Sequence, residues 1–170
     1  MHTMSTQSAP IGKMEFLSFQ LGGMEYGVDF RKVKELRTFK SLERFASEGA
    51  IVKGVAVSRG VIMPLVDMRV AFNERVAERV AERAASPDPM TDVIILQLST
   101  CVMGMVVDGV TDVVRMSPDQ ISPIPGLTRD SGCDYLMGLG ETDGRRLILV
   151  DIDKLMSIRR ESVAGAQKAA

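Results

Sequence analysis

The chain has 170 residues, 45% hydrophobic and 25% charged, with a formal net charge of −1, the composition of one globular domain or of two small subdomains packed together. A charge so near zero supplies neither the basic field that nucleic acid requires nor a polybasic membrane patch, and no apolar run approaches the roughly 20 residues of a bilayer span. Two cysteines, Cys101 and Cys133, are too few for a disulfide framework, and the opening MHTMSTQSAPIGK has no apolar signal-peptide core, so the expected location is the cytoplasm.

In chain order, residues 1–14 read as a disordered polar tail. EFLSFQL (15–21) predicts a strand, GG a turn and MEYGVD its hairpin partner. In FRKVKELR (30–37), Phe30, Val33 and Leu36 recur about every third residue, which predicts a short helical turn. IVKGVAV and GVIMPLV are two further strands, joined at a corner by Ser58, Arg59 and Gly60. Pro64 has no N–H to give a ladder, which predicts an edge or bulge position. NERVAERVAERAA (73–85) predicts a helix with Asn73 as N-cap and a narrow stripe of Val76, Val80 and Ala84. Its dense charge suits a solvated connector.

The second half resumes with DVIILQL, VMGMVVDGV and DVVRM as strands. A Pro/Gly/Ser-rich loop, SPDQISPIPGLTRDSG, follows. YLMGLGE and RRLILVDI are the last strands, DIDKLMSIRRE predicts a terminal helix, and 159–170 form a flexible tail. The twelve methionines read first as adaptable core filler.

The two halves repeat. A shift of 77 positions brings Glu15 onto Asp92, Gln20 onto Gln97, Gly27 onto Gly104, Val33 onto Val110, Glu35 onto Asp112 and Leu36 onto Val113. A shift of 84 brings Gly54 onto Gly138 and Asp67 onto Asp151. Few residues are identical, but their order and the strand–turn–strand rhythm predict two similar β units in tandem. With no helices alternating with strands, the expected class is all-β with short helices: two small barrels of about five strands, with a groove between them.

Chemistry is hard to find. The sole histidine, His2, sits in the tail, which removes most Ser-His-Asp and Cys-His mechanisms. Two cysteines and a tail histidine make no usual zinc site, and DGVTD (108–112) lacks the ligand spacing and closing Glu of a calcium loop. GLGETDG is GxG without GxxG or a following helix, and reads as a hairpin turn. In DID, Asp151 and Asp153 stand at a strand–helix junction, where N-capping accounts for one of them. The expectation is no catalytic residue, no metal and no cofactor; binding is the stronger class.

Five blocks, EFLSFQLGGMEYGVDFRKVKELR, VKGVAVSRGVIMPLVDMR, MGMVVDGVTDVV, YLMGLGE and RRLILVDIDKL, together resemble the bacterial chemotaxis coupling proteins of the CheW-like domain family. The resemblance runs in order from about Glu15 to Leu155. It implies a single domain over 15–158, made of two interlinked, five-stranded SH3-like barrels sharing a core, with 73–85 as a charged helical insertion. It implies a non-enzymatic adaptor that couples chemoreceptor cytoplasmic tips to the regulatory domain of the histidine kinase CheA, stacks with other CheW-like domains, and works at arrays on the inner membrane without entering it. Receptor-side positions carry over to Val33, Glu35, Gly54 and Arg59, and a position on the opposite groove wall to Val113. Val33 and Val113 would anchor a partner, while Glu35 and Arg59 would orient it or pair with each other. Each has a plainer alternative: Val33 as core, Gly54 as a backbone requirement, Glu35 as a surface acid. Arg59, at a corner with no core role, is the best candidate for function.

Three departures stand out. Val57-Ser58 replaces the usual Asn-Leu before Arg-Gly, the connector between barrels is long, and Asp92 stands at a usually apolar strand start. They suit an adaptor of a separate chemosensory system, such as pilus or surface motility or biofilm. A small β-barrel ligand-binding module is the remaining alternative.

Overall fold

A computed structural model describes residues 12–45, 52–68, 91–125 and 135–156. The helix expected over 73–85, residues 1–11 of the tail expected over 1–14, the tail at 159–170, and Cys133 lie outside the described residues, and Met14, placed in that tail, opens the first strand. The strands are β1 (Met14–Leu21), β2 (Met24–Asp29), β3 (Val33–Thr38), β4 (Glu43–Phe45), β5 (Val52–Ser58), β6 (Val61–Asp67), β7 (Asp92–Gln97), β8 (Val102–Val106), β9 (Gly109–Met116), β10 (Ile121–Ser122), β11 (Leu136–Thr142) and β12 (Arg145–Val150). Short 3-10 turns cover Phe30–Lys32, Phe39–Ser41 and Pro118–Gln120, and a helical turn covers 152–156.

The expected two-unit β fold is present, and its strands are allotted in an unexpected way. One sheet has the order β10-β11-β12-β2-β1-β9, the other β4-β5-β6-β8-β7-β3. Let each strand of the first half answer to the one six places later, and the two orders are the same. Each sheet takes four strands from one half and the opening hairpin from the other, so among the described residues each unit has six strands, not five, and the halves exchange arms.

Each borrowed hairpin enters through a parallel pair, β2 beside β12 and β8 beside β6. At both seams a glycine faces a leucine, Gly27 opposite Leu149 and Gly104 opposite Leu65. A Cβ on Gly27 would stand 2.9 Å from Leu149 Cδ2, and one on Gly104 2.5 Å from Leu65 Cδ2. The repeated glycine is thus the space its leucine fills.

The apolar run VIIL in β7 is buried on both faces. Ile94 and Leu96 enter a central cluster with Leu17, Phe19, Val28, Val66, Met103, Met105 and Val150, while Val93 and Ile95 join Phe39, Leu42, Met63 and Leu65 inside one unit. Phe16, Val114, Met116, Leu147 and Leu149 form the smaller core of the other. Period-two alternation therefore sorts side chains between a unit's own core and the shared one. Met63, Met68, Met103, Met105 and Met116 are fully buried, as expected of core filler.

One local expectation fails for a physical reason, and another holds in one of its two forms. Residues 30–37 are not one helical turn: a 3-10 turn ends at Lys32 and β3 follows. Val33 pairs with Leu96 and Glu35 with Ile95, so one extra residue is inserted at Lys34. That bulge puts Val33 and Leu36 on the same face three residues apart, which imitates helical spacing. Of the edge or bulge position expected for Pro64, the structure gives the bulge: β6 lies between β8 and β5, and Pro64 faces Val55 at the end of an irregular stretch of β5. The proline is tolerated because pairing with β8 begins only at Leu65, and because β5 is bulged between Val52 and Val55, beside the Val55–Pro64 pair.

Phe19 is 1% exposed, stacks on Tyr26 and touches the shared cluster. Phe19→Ala is expected to lower the unfolding free energy by about 3–5 kcal/mol, measured by urea titration. A loss below about 1 kcal/mol, the cost of a lightly packed site, would mean that the shared cluster is not the main core.

Candidate functional site

The β5–β6 hairpin closes through Arg59 and Gly60, at φ 50° and 78°. Both are left-handed, the requirement of a type I′ turn, which favours Asn-Gly or Asp-Gly. The matching hairpin, β11–β12, turns through Asp143 and Gly144 at φ 49° and 76°. One turn therefore carries the residue its backbone prefers, and its counterpart carries an arginine.

Arg59 is 81% exposed, and its Nη2 lies 3.5 Å from Glu35 Oε1. Glu35 is held from two further sides. Arg37 Nη1 donates to Glu35 Oε1 at 3.3 Å and to Ser58 Oγ at 3.1 Å, and Ser58 Oγ reaches Glu35 Oε2 at 3.4 Å. Arg37 is itself braced, its Nη2 donating to the Ser41 carbonyl at 2.8 Å. Beside this network is a depression of about 160 Å³, lined by Val61, Met63, Ile95 and Val102 and by Lys34, Glu35, Ser58 and Arg59. A cavity of about 150 Å³ holds a benzene ring, so the depression suits one apolar side chain. Ile62, on the same hairpin, is 72% exposed.

The structure brings Glu35 and Arg59 into direct contact and leaves the other expected residues elsewhere. The Lys34 bulge turns Val33 to the opposite face from Glu35, where Val33 packs against the shared cluster. Val113 is 41% exposed on the edge strand β9, and its cross-strand partner Leu17 belongs to that same cluster. Val33 and Val113 thus stand on the core-facing sides of the two sheets' edge strands. Gly54 falls in the bulged stretch of β5, and its equivalent in the repeat, Gly138, stands at the end of the bulge of β11. A Cβ on Gly138 would lie 2.8 Å from the Ser122 carbonyl oxygen; for Gly54 the shared bulge supports the plainer, backbone role.

Sequence reasoning missed Arg37, Ser58 and the apolar lining. Ser58, noted as a departure, is 6% exposed and serves as the link between Arg37 and Glu35. Asp92, another departure, has a structural role, since its Oδ2 accepts from Val110 N at 2.9 Å. Asp108 of DGVTD likewise accepts from Gly22 N at 2.8 Å. Among the described residues no group of three or more His, Cys, Asp or Glu could hold a metal ion, and no helix is long and apolar enough to cross a membrane.

The DID pair divides its work. Asp151 caps the 152–156 turn, accepting from Lys154 N at 3.2 Å. Asp153 accepts from Lys32 Nζ at 2.6 Å and from Ser99 N and Oγ at 2.9 and 3.0 Å, clasping the two halves. Burial opposes its ionisation, but the Lys32 and Ser99 hydrogen bonds outweigh that and hold its carboxyl below the ordinary range. A depressed carboxyl stabilises the fold above its unfolded-state value and loses that contribution as pH falls through its folded-state value. Stability is therefore expected to drop below about pH 4. Asp153→Asn should be less stable at pH 7 and show a shallower acid limb in pH-dependent urea unfolding; an unchanged limb would mean that Asp153 does not contribute to it.

Comparison with known proteins agrees with this architecture. The CheW-like domain family matches residues 15–160. The chain is 44% identical over 143 residues to the chemotaxis protein CheW of Klebsiella aerogenes, covering 84% of this chain and 81% of that protein. It is 28% identical over 153 residues to CheW of Rhizobium meliloti, covering 90% and 94%. The crystal structure of the scaffolding protein TtCheW from Thermoanaerobacter tengcongensis is similar with a TM-score of 0.67 and 23% identity, over 85% of this chain and 92% of that one. The exchanged-arm β fold and these matches over most of its length place the chain in the CheW-like domain family.

Proposed function

We propose that the protein is a non-enzymatic chemotaxis adaptor, which couples the cytoplasmic tips of chemoreceptors to the histidine kinase CheA. The observation that carries the reading is the Glu35–Arg59 pair on a strained turn beside an apolar depression. An exposed arginine in a left-handed turn, with a braced acid beside it, adds little to a fold and much to recognition. The depression offers an apolar anchor point, and the pair orients what enters it. Val33 and Val113 offer apolar contact on the core-facing sides of the edge strands, and Gly54 keeps the β5 bulge. The kinase's regulatory domain and other CheW-like domains are the proposed neighbours in a cytoplasmic array.

Co-sedimentation of the purified protein with CheA and a receptor signalling fragment tests this. A ternary complex in which kinase activity depends on the adaptor is expected. Absence of any complex, with the protein folded, would overturn the reading.

A further inference from the structure

The repeat relates the Glu35 depression to a second place in the fold. By the same shifts Glu35 answers to Asp112, Val61 to Arg145, Ile95 to Ser18 and Val102 to Glu25. There Arg145 of β12 lies across strands β2, β1 and β9. Its Nη1 and Nη2 donate to the two carboxylate oxygens of Asp112 at 2.9 and 2.8 Å, Nη2 reaches Ser18 Oγ at 3.3 Å, and the guanidinium pairs with Glu25. Ser18 Oγ also donates to Glu25. The Arg145 hydrogen bonds hold Glu25 and Asp112 below the ordinary carboxyl range, and the two acids, Asp112 foremost, raise the guanidinium above its own.

In the first unit three of these four positions are apolar and only the acid remains. The room that Arg145 occupies in one unit is left open in the other. A side chain of the same molecule, bidentate on one carboxylate and paired with a second, is a strong and ever-present competitor for any partner.

We propose that Arg145 is a built-in plug: it closes the second copy of the docking face and makes the adaptor bind one receptor tip per chain. This rests on the docking role proposed above for the Glu35 face. The selectivity lies in three exchanges, Val61 for Arg145, Ile95 for Ser18 and Val102 for Glu25, and not in any difference of backbone, since both units share the bulge before the acid.

Two variants of the full chain test it in opposite directions, read by isothermal titration with a receptor signalling fragment. Arg145→Val with Ser18→Ile, Glu25→Val and Asp143→Arg copies the open face into the second unit; two fragments per chain are expected, against one for the parent. Val61→Arg with Val102→Glu copies the plug into the first unit, and should weaken binding by about 10-fold or more. The second pair replaces partly exposed residues, so it remains informative should the first variant fail to fold. A folded opened variant that still binds one fragment, or a plugged variant that binds like the parent, would overturn the proposal. So would two fragments on the parent chain, which leaves the docking role standing, whereas none on the parent chain defeats the docking role itself.

Discussion

Arg59→Asn is expected to leave the protein folded and at least as stable, while weakening receptor binding about 10-fold or more. Stability depends here on the backbone of the turn. Arg59 has φ 50°, a conformation that costs an ordinary side chain roughly 1–2 kcal/mol and that asparagine adopts readily. The lost ion pair takes little away, because Arg59 is 81% exposed and 3.5 Å from Glu35, and such pairs add little to folding. Binding should suffer because arginine is among the residues most enriched at interface hot spots, and a 10-fold loss corresponds to about 1.4 kcal/mol. Arg59→Glu should be worse than Asn for binding, because it sets a second carboxylate beside Glu35. Thermal unfolding and titration with a receptor signalling fragment check both halves. If Asn binds like the parent, Arg59 is not at the working surface; if Asn unfolds the protein, the arginine is holding the hairpin closed.

Much of this fold is legible in the sequence, and what is not has identifiable causes. Short apolar runs mark β1, β7, β8 and β12, and the Gly-rich corners mark the hairpins, because both are local. The repeat is legible too, down to Gly27 and Gly104. A repeat says which residues are equivalent and is silent on which are partners. A hairpin docked on its own half and one docked on the other have the same sequence pattern, so the exchange is settled only by contacts such as Leu149 on Gly27. The bulge at Lys34 misled in a different way: one inserted residue turned period two into period three. At the site, Glu35 and Arg59 came from family resemblance, and their pairing follows from the closure of β3 toward β5. Arg37, Ser58 and the apolar lining meet only through that closure, which no local pattern announces.

Separated into two polypeptides, residues 1–72 and 88–170, the protein is expected to lose its fold in each piece and regain it when the pieces are mixed. The first piece would hold the β1–β2 hairpin without its neighbours β9 and β12, the meander β4-β5-β6 without β8, and β3 without β7. The second would be the mirror case, with β7–β8 and β10-β11-β12 stranded from each other. Isolated hairpins are marginal in water. The shared cluster fails too: it needs Leu17, Phe19, Val28 and Val66 from one piece and Ile94, Leu96, Met103, Met105 and Val150 from the other. Its apolar side chains are each worth about 1.5–3 kcal/mol on burial, against a total stability of about 5–15 kcal/mol for an ordinary domain. Neither piece can stand the loss of half of it. Circular dichroism and amide dispersion in proton–nitrogen spectra are the measurements: disordered spectra for each piece, a native-like spectrum for the equimolar mixture. Two barrels merely in tandem would behave oppositely, each piece folding alone and mixing changing nothing, and that result would rule out the exchange of arms.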